Sequence, residues 1–429
     1  MKRVLLAVAA ALAAACQPPG TLTVELDFSN GVLPAGAAQV RVELDKPPFN
    51  QTTNLDSDGS FEIDTEFDAT TVAGRLTVTI LDRAGAALAH GVSPPLDLAG
   101  NDGDVHVFVA PRGFSPAPFS WPALADVAVA QLSYGAFLAG GRDAQGTKSS
   151  GVTVYSVYSQ DAVAGSAMPG ARSGQVAAAS ALSVVALYGG LGPGDAVAGD
   201  LWEFDTNLPP AGGYLPVPVF PALARAGAVA APIGADKYLI TGSPPAILDV
   251  DAGNLTAVFG APAGATAATA AASTTTTGGT AAVVLAGPTG IFRYDAGAAS
   301  WSQLDATARA GAAVTTMADG RILVAFAGGT TLVSSDGILT PGPAIAFRDR
   351  AAAALAGGTV VVAGGFDSGG AARADADLID ADLNVSLVPM AVPRGAPAAV
   401  GLANQTVLVL GGRATDGGAP QGGAEILTP

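Results

Sequence analysis

The chain of 429 residues has one cysteine, two histidines and four lysines, and aromatic residues make up only 6% of it. One thiol leaves no intrachain disulfide to hold the fold. Both histidines, His90 and His106, lie in the first quarter of the chain, so no Ser-His-Asp triad can be assembled from the remainder. With a formal net charge of −16, the chain is unsuited to nucleic acid or to an electrostatic hold on anionic lipid. No apolar run after the first residues is fit to cross a bilayer, since the weakly apolar stretch 264–287 is broken by Gly278 and Gly279. What abounds is glycine, 56 residues without a collagen period, which implies many turns around thin layers of Val, Leu and Ala.

The one cysteine, Cys16, follows Lys2, Arg3 and the apolar run "VLLAVAAALAAA". Ala13, Ala14 and Ala15 stand directly before it. This segment resembles a bacterial lipoprotein signal, although Leu12 is four places before the cysteine rather than three. The resemblance implies a signal peptide at 1–15, acylation of Cys16 and a tether at 16–20. Loss of Lys2 and Arg3 would take the formal charge from −16 to −18. Acyl chains contribute about 0.8 kcal/mol per buried methylene, so a lipid anchor would be the sole attachment to the membrane. Gln17 in place of Asp implies sorting to the outer membrane, on its periplasmic or its surface side.

Residues 21–111 alternate. In "TLTVELDF", Leu22, Val24 and Leu26 share one face, and Thr23, Glu25 and Asp27 share the other. Similar runs, "AQVRVELD", "SFEIDTEF", "RLTVTILD" and "DVHVFVAP", predict a small β-sandwich that resembles immunoglobulin-like or prealbumin-like modules. Asn54 to Gly59, "NLDSDG", has the oxygen-ligand spacing of a calcium loop, but Thr65 stands where a bidentate Glu is needed, and a hairpin turn is the reading taken here.

From residue 117 to 429 one phrase recurs: an apolar strand stopped by glycine. Its copies end at Gly141, Gly190, Gly242, Gly287, Gly329, Gly365 and Gly412. Each is preceded by a run of small residues, such as "SGQVAAAS", and followed by a further strand, such as "DLWEFD". Small side chains suit the crowded innermost strand of a radial array, and four strands per repeat mean a β-propeller. The double glycines, "DLWEFD", "SWSQL" and the arginine opening the next unit resemble Kelch repeats. The fold predicted is therefore all-β: a seven-bladed Kelch-type propeller at 117–429 behind a sandwich at 21–111. "FSWPALADVAV" parallels "ASWSQLDATAR", with Trp121 matching Trp301, so the Trp121 strand is expected to complete the last blade.

Copper oxidases of the galactose oxidase type share this architecture, but the resemblance brings no ligand set, because both histidines lie outside the propeller and Cys16 lies in the signal. His90 and His106 are taken as strand residues rather than a metal pair. "GGLGPGD" precedes a strand and is a loop rather than a phosphate cradle. No catalytic residue, metal or cofactor is assigned. The function expected is a monomeric recognition module for a protein or a glycan; the alternative is a carbohydrate-active propeller working through carboxylates. Arg172, Arg225, Arg309, Arg348, Arg350 and Arg394 open successive units on the rim that carries the loops after the glycines, and they are the expected ligand contacts. Four of those loops, 142–151, 191–200, 366–375 and 413–423, are long and belong to adjoining units, so they should form one arc.

Overall fold

Period-two alternation at the start of the chain becomes two sheets around one core. The computed structural model describes residues 8–9, 21–46, 48–56, 61, 74–96, 103–181, 183–208, 212–215 and 219–429. Thr21–Phe28 pairs in parallel with Gly103–Val109, and Val8–Ala9 lies antiparallel on its other side. The second sheet runs Phe49–Asn54, Gln39–Leu44, Leu76–Leu81, Ala87–Val92. Val24, Val40, Val78, Ile80 and Val107 are completely buried between them. Burial of each stabilises the unit by about 1.5–3 kcal/mol. Cys16 and residues 57–60 of the Asp-rich loop lie outside the described residues.

Beyond residue 112 the chain forms seven four-stranded antiparallel sheets in succession. Sheets 1 to 7 begin with Ala128–Leu132, Val176–Ala179, Ala230–Pro232, Ala270–Thr275, Ala313–Thr316, Ala352–Ala356 and Ala398–Gly401. Each of these first strands packs against the next, and the last packs against the first. The sheets therefore close into a ring, with the alanine-rich strands around its axis, as a β-propeller requires. Side chains larger than these would crowd the axis. The larger ones, such as Phe137, Leu187 and Phe204 between sheets 1 and 2, are buried farther out, between neighbouring sheets.

The ring is closed by a different strand from the one expected. Ala424–Thr428 of sheet 7 pairs with Gly113–Pro116, in register Glu425 to Pro116 through Thr428 to Gly113. Trp121 lies past that strand, in the connection to sheet 1, where its carbonyl accepts the Gly423 N–H at 2.9 Å. Its indole is buried with Ala136, Leu138 and Leu410, so the tryptophan plugs the seam between sheets 7 and 1 rather than extending the edge.

Alternating strand direction gives the ring two rims. Connections between first and second strands, and between third and fourth, open on one rim. Those between second and third strands, and from a fourth strand to the next sheet, open on the other, which carries the glycine loops. The N-terminal unit docks on the first rim: Arg75 Nη1 donates to Ala403 O at 2.8 Å, and the His106 N–H donates to Tyr158 O at 3.2 Å. Phe108 and Ala110 are buried there with Tyr155 and Leu402. The glycine-loop rim lies on the opposite side of the ring.

Candidate recognition surface

The glycine pairs and the arginines answer each other across neighbouring sheets. Gly140 and Gly141 adopt φ of +66° and +102°, and the pairs 189–190, 364–365 and 411–412 are left-handed too. A Cβ on Gly140 would sit 2.5 Å from Arg172 O, and one on Gly364 would sit 2.2 Å from Arg394 O. Only glycine permits both the dihedral and the approach. The second glycine then donates its N–H to the same carbonyl, Gly141 to Arg172 O at 2.9 Å and Gly190 to Arg225 O at 2.7 Å. Sheet is thus pinned to sheet at the arginine backbone.

The arginine side chains turn inward, into their own sheets. Arg348 is 1% exposed; its Nε meets Asp377 at 2.6 Å, and its Nη1 donates to Gly364 O at 2.9 Å. Arg394 is completely buried, with Nε 3.2 Å from Glu425 and Nη1 2.9 Å from Gly411 O. Arg172 donates to Asp200 and to Gly189 O and stacks on Trp202, its guanidinium carbon 3.8 Å from the ring centre. Arg225, also buried, donates to Leu223, Thr241 and Pro244 carbonyls. Burial pulls the pKa values of Arg172, Arg225 and Arg394 down, and the acids beside Arg172 and Arg394 oppose the shift. These four arginines, read from the sequence as ligand contacts, are placed as internal staples. Arg309 is half-way to the same role: it pairs with Asp305 at 2.8 Å and stacks over Phe326 at 4.2 Å. Arg350 alone of the six is well exposed, its side chain at 41%.

The four long loops are joined side to side. Loops 366–375 and 413–423 pair through Ala371 and Thr415, and the Asp416 N–H donates to Gly370 O at 3.1 Å. Asp126 then clamps the next pair, taking Arg413 Nη2 at 3.1 Å and Arg142 Nε at 2.5 Å on one carboxylate oxygen. Lys148 Nζ, 2.5 Å from Asp195, ties loop 142–151 to loop 191–200 and holds the Asp195 carboxyl below its usual pKa. Arg350 Nη2 meets Asp416 at 2.7 Å; that hydrogen bond is the main reason the Asp416 carboxyl is held low and the Arg350 guanidinium high. The result is one arc over sheets 6, 7, 1 and 2.

At the inner edge of this arc stands a ring of left-handed residues just before the first strands: Asp126, Gly174, Gly227, Gly311, Arg350 and Ala396. Their backbones are chained around the axis, with Gly174 N donating to Asp126 O at 2.8 Å, Gly227 N to Gly174 O at 3.1 Å and Arg350 N to Gly311 O at 2.8 Å. Only Asp126 and Arg350 bring charge to this ring, and both belong to the arc side. Asp126, Arg142, Arg413 and Asp416 were not singled out from the sequence. Arg142 and Arg413 each follow directly on a glycine pair, in two units only, and that repetition together with the length of the loops was the available sign.

A carboxylate enzyme would gather acids in a cavity. The cavity of about 380 Å³ at the far end of the first strands is lined by residues 129–133 and 177–179 with Pro232 and Tyr238, none of them an acid. Burial raises the carboxyls of Glu203 and Asp251, but Glu203 stands at the middle of the strand Leu201–Asp205 and Asp251 in the turn after Ala246–Asp249, on the rim away from the arc. Among the described residues no group of three metal-ligating side chains is placed to hold a metal ion. His106 instead pairs with Asp27, Nδ1 to Oδ2 at 2.8 Å.

No family model matches this sequence, and no curated protein sequence matches it. Solved structures do. A fungal alcohol oxidase of the AA5 family, solved in complex with copper, is 16% identical with a TM-score of 0.55, over 72% of this chain and 75% of that one. A structure of YjhT is 14% identical over 72% of this chain and 95% of that one, with a TM-score of 0.45. The fold is thus all-β and like that of the AA5 oxidase.

Proposed function

We propose that this protein is an exported, lipid-anchored recognition module: a seven-bladed Kelch-type propeller behind a small β-sandwich, tethered through Cys16 at the bacterial outer membrane. It binds a protein or a glycan on the arc formed by loops 142–151, 191–200, 366–375 and 413–423. The observation that supports this most is the union of those four loops into one surface beside the axis, through Asp126, Lys148 and Arg350. Turns need none of that length, and the corresponding connections of sheets 3, 4 and 5 are only 241–245, 288–289 and 327–328. Contacts fall to Arg350, Arg142 and Arg413 with Asp126 and Asp416. The buried arginines shape the arc from beneath.

Capture of ligand from outer-membrane extracts and on a glycan array, by the intact protein and by a form with loops 142–151 and 413–423 shortened together, tests the reading. Loss of capture with an unchanged melting temperature is expected. Capture that survives the shortening overturns it. For the anchor, mass spectrometry of membrane-extracted protein should find acyl groups on an N-terminal Cys16, and a mature chain starting elsewhere would remove it.

A further inference from the structure

The polar face of the four-stranded sheet in the N-terminal unit holds a cavity that rim recognition leaves unused. It measures about 500 Å³ and is lined by Arg41, Glu43, Thr77, Thr79, His90 and Arg112, with Ala87 to Ala89. Strand register explains the convergence. Arg41 stands opposite Thr79, and Thr79 stands opposite His90, so the three form one row across three strands. Glu43 and Thr77 form the next row. Side chains directly opposed on one face start about 5 Å apart, which places Arg41 and His90 on two walls of one site. Arg112 joins them two residues after the bridge that pairs Ala110 with His90.

Two guanidinium groups crowd this cavity, with Glu43 and the Pro429 oxygen beside them. Arg41 Nε is buried, 3.2 Å from Glu43 Oε2, yet makes no aligned hydrogen bond. Glu43 is itself shared, its other oxygen accepting Asn50 Nδ2 at 3.0 Å. Arg112 spends Nε on Pro429 O at 3.3 Å, which leaves its two terminal nitrogens for the cavity. Burial and the Arg112 charge keep the His90 imidazole below its usual pKa, against the pull of the Pro429 carbonyl. A bound anion would relieve this crowding, since guanidinium groups grip oxyanions with paired N–H donors and the threonine hydroxyls can add more. The volume lies in the range of small-ligand sites.

We infer that this cavity binds a small oxyanion, a carboxylate or a phosphate, between Arg41, His90 and Arg112. The site is independent of the loop arc. Because the chain has only two histidines, their ring signals report on it separately. The full chain is titrated by NMR with inorganic phosphate and, in a second arm, with succinate, each balanced against chloride at constant ionic strength. The groups facing His90 are Arg41, Glu43, Arg112 and the oxygen of Pro429, the last residue of the sequence, and a bound anion adds negative charge among them. The His90 titration should therefore move upward in pH in one arm or both, while neither anion changes the His106 ring signals. Whichever arm responds names the oxyanion. Arg41→Gln and Arg112→Gln should each weaken the response at least tenfold, with melting temperatures confirming that the variants fold, and Arg41→Lys should restore part of it. A His90 titration unmoved by either anion, a response equal to that of chloride, or full binding by both glutamine variants would overturn the assignment.

Discussion

The two rims of the ring use charge in opposite ways. On the rim of first-to-second and third-to-fourth turns, Asp236, Asp251, Asp319, Asp336, Asp380 and Asp382 face one turn cation, Arg321. Several of these acids serve their own turns: Asp319 accepts the Arg321 N–H at 3.0 Å, and Asp380 accepts those of Asp382 and Asn384 at 2.9 and 2.8 Å. That is the ordinary use of aspartate in a tight turn. On the glycine-loop rim, buried arginine side chains lock each sheet internally while their backbone carbonyls hold the preceding sheet, and a second, exposed set of charges locks loop to loop. The N-terminal unit covers part of the acidic rim, and the arc stands on the other. On the acidic rim the acids either serve their own turns or, like Asp236 and Asp336, accept a single bond from the turn of a neighbouring sheet, from Ala181 N and Thr277 Oγ1. Charge on the arc is not accounted for by any single turn, and that difference is what points to recognition there.

The sharpest break would come from a staple. Arg394→Ala leaves Glu425, 5% exposed at its side chain, as an unpaired buried charge. The expected cost is about 3–5 kcal/mol in urea unfolding. Replacing both partners with Met and Leu should recover most of it, because the desolvation of two ions is then avoided. A loss below about 1 kcal/mol for the single variant would mean that the arginines are not staples. Next in size is closure. Exchanging residues 113–116 for a Gly-Ser linker should cost about 2 kcal/mol, mostly for Phe114, and expose the Ala424–Thr428 edge, so light scattering should show association.

The interior of sheet 2 offers an effect of opposite sign. Glu203 Oε1 is buried without a hydrogen-bond partner, and burial, with Asp251 and Asp249 nearby, raises its carboxyl above 4.5. With the folded pKa raised, the proton is held more tightly in the folded state. The stabilisation that protonation brings is complete below about pH 4.5 and is lost as pH rises through the folded value. Glu203→Gln should therefore be more stable than the native chain at neutral pH, by about 1 kcal/mol, and the advantage should vanish near pH 4. Equal stability at neutral pH would show the carboxylate to be well solvated. Smallest in stability is Asp416→Asn on the arc, since the pair with Arg350 is exposed. Its effect on ligand capture should be far larger.

Much of this was legible in the chain. A glycine-ended strand about every 45 residues marks a repeated unit, because each sheet must turn out of the core at the same place. Alanine runs mark the axis, because only small residues fit there. Periodicity also put the six arginines on the correct connections. It could not say that Nη1 of Arg348 and both terminal nitrogens of Arg394 go to carbonyls of their own sheets, since those acceptors are backbone and leave no mark in sequence. The closing strand was missed for a related reason. "GFSP" has little strand character of its own and is held by pairing with Ala424–Thr428, whereas Trp121 matched Trp301 by residue type while serving as a plug. Asp126 had no signal except its place between two long loops.

Ligand capture by two matched variants tests the central claim most directly. One carries Asp126→Asn with Arg350→Gln on the arc, and the other carries Asp236→Asn with Asp319→Asn on the acidic rim, both with near-native melting temperatures. Capture lost by the first and kept by the second is the predicted result. Capture kept by the arc variant and lost by the acidic-rim variant would contradict the account.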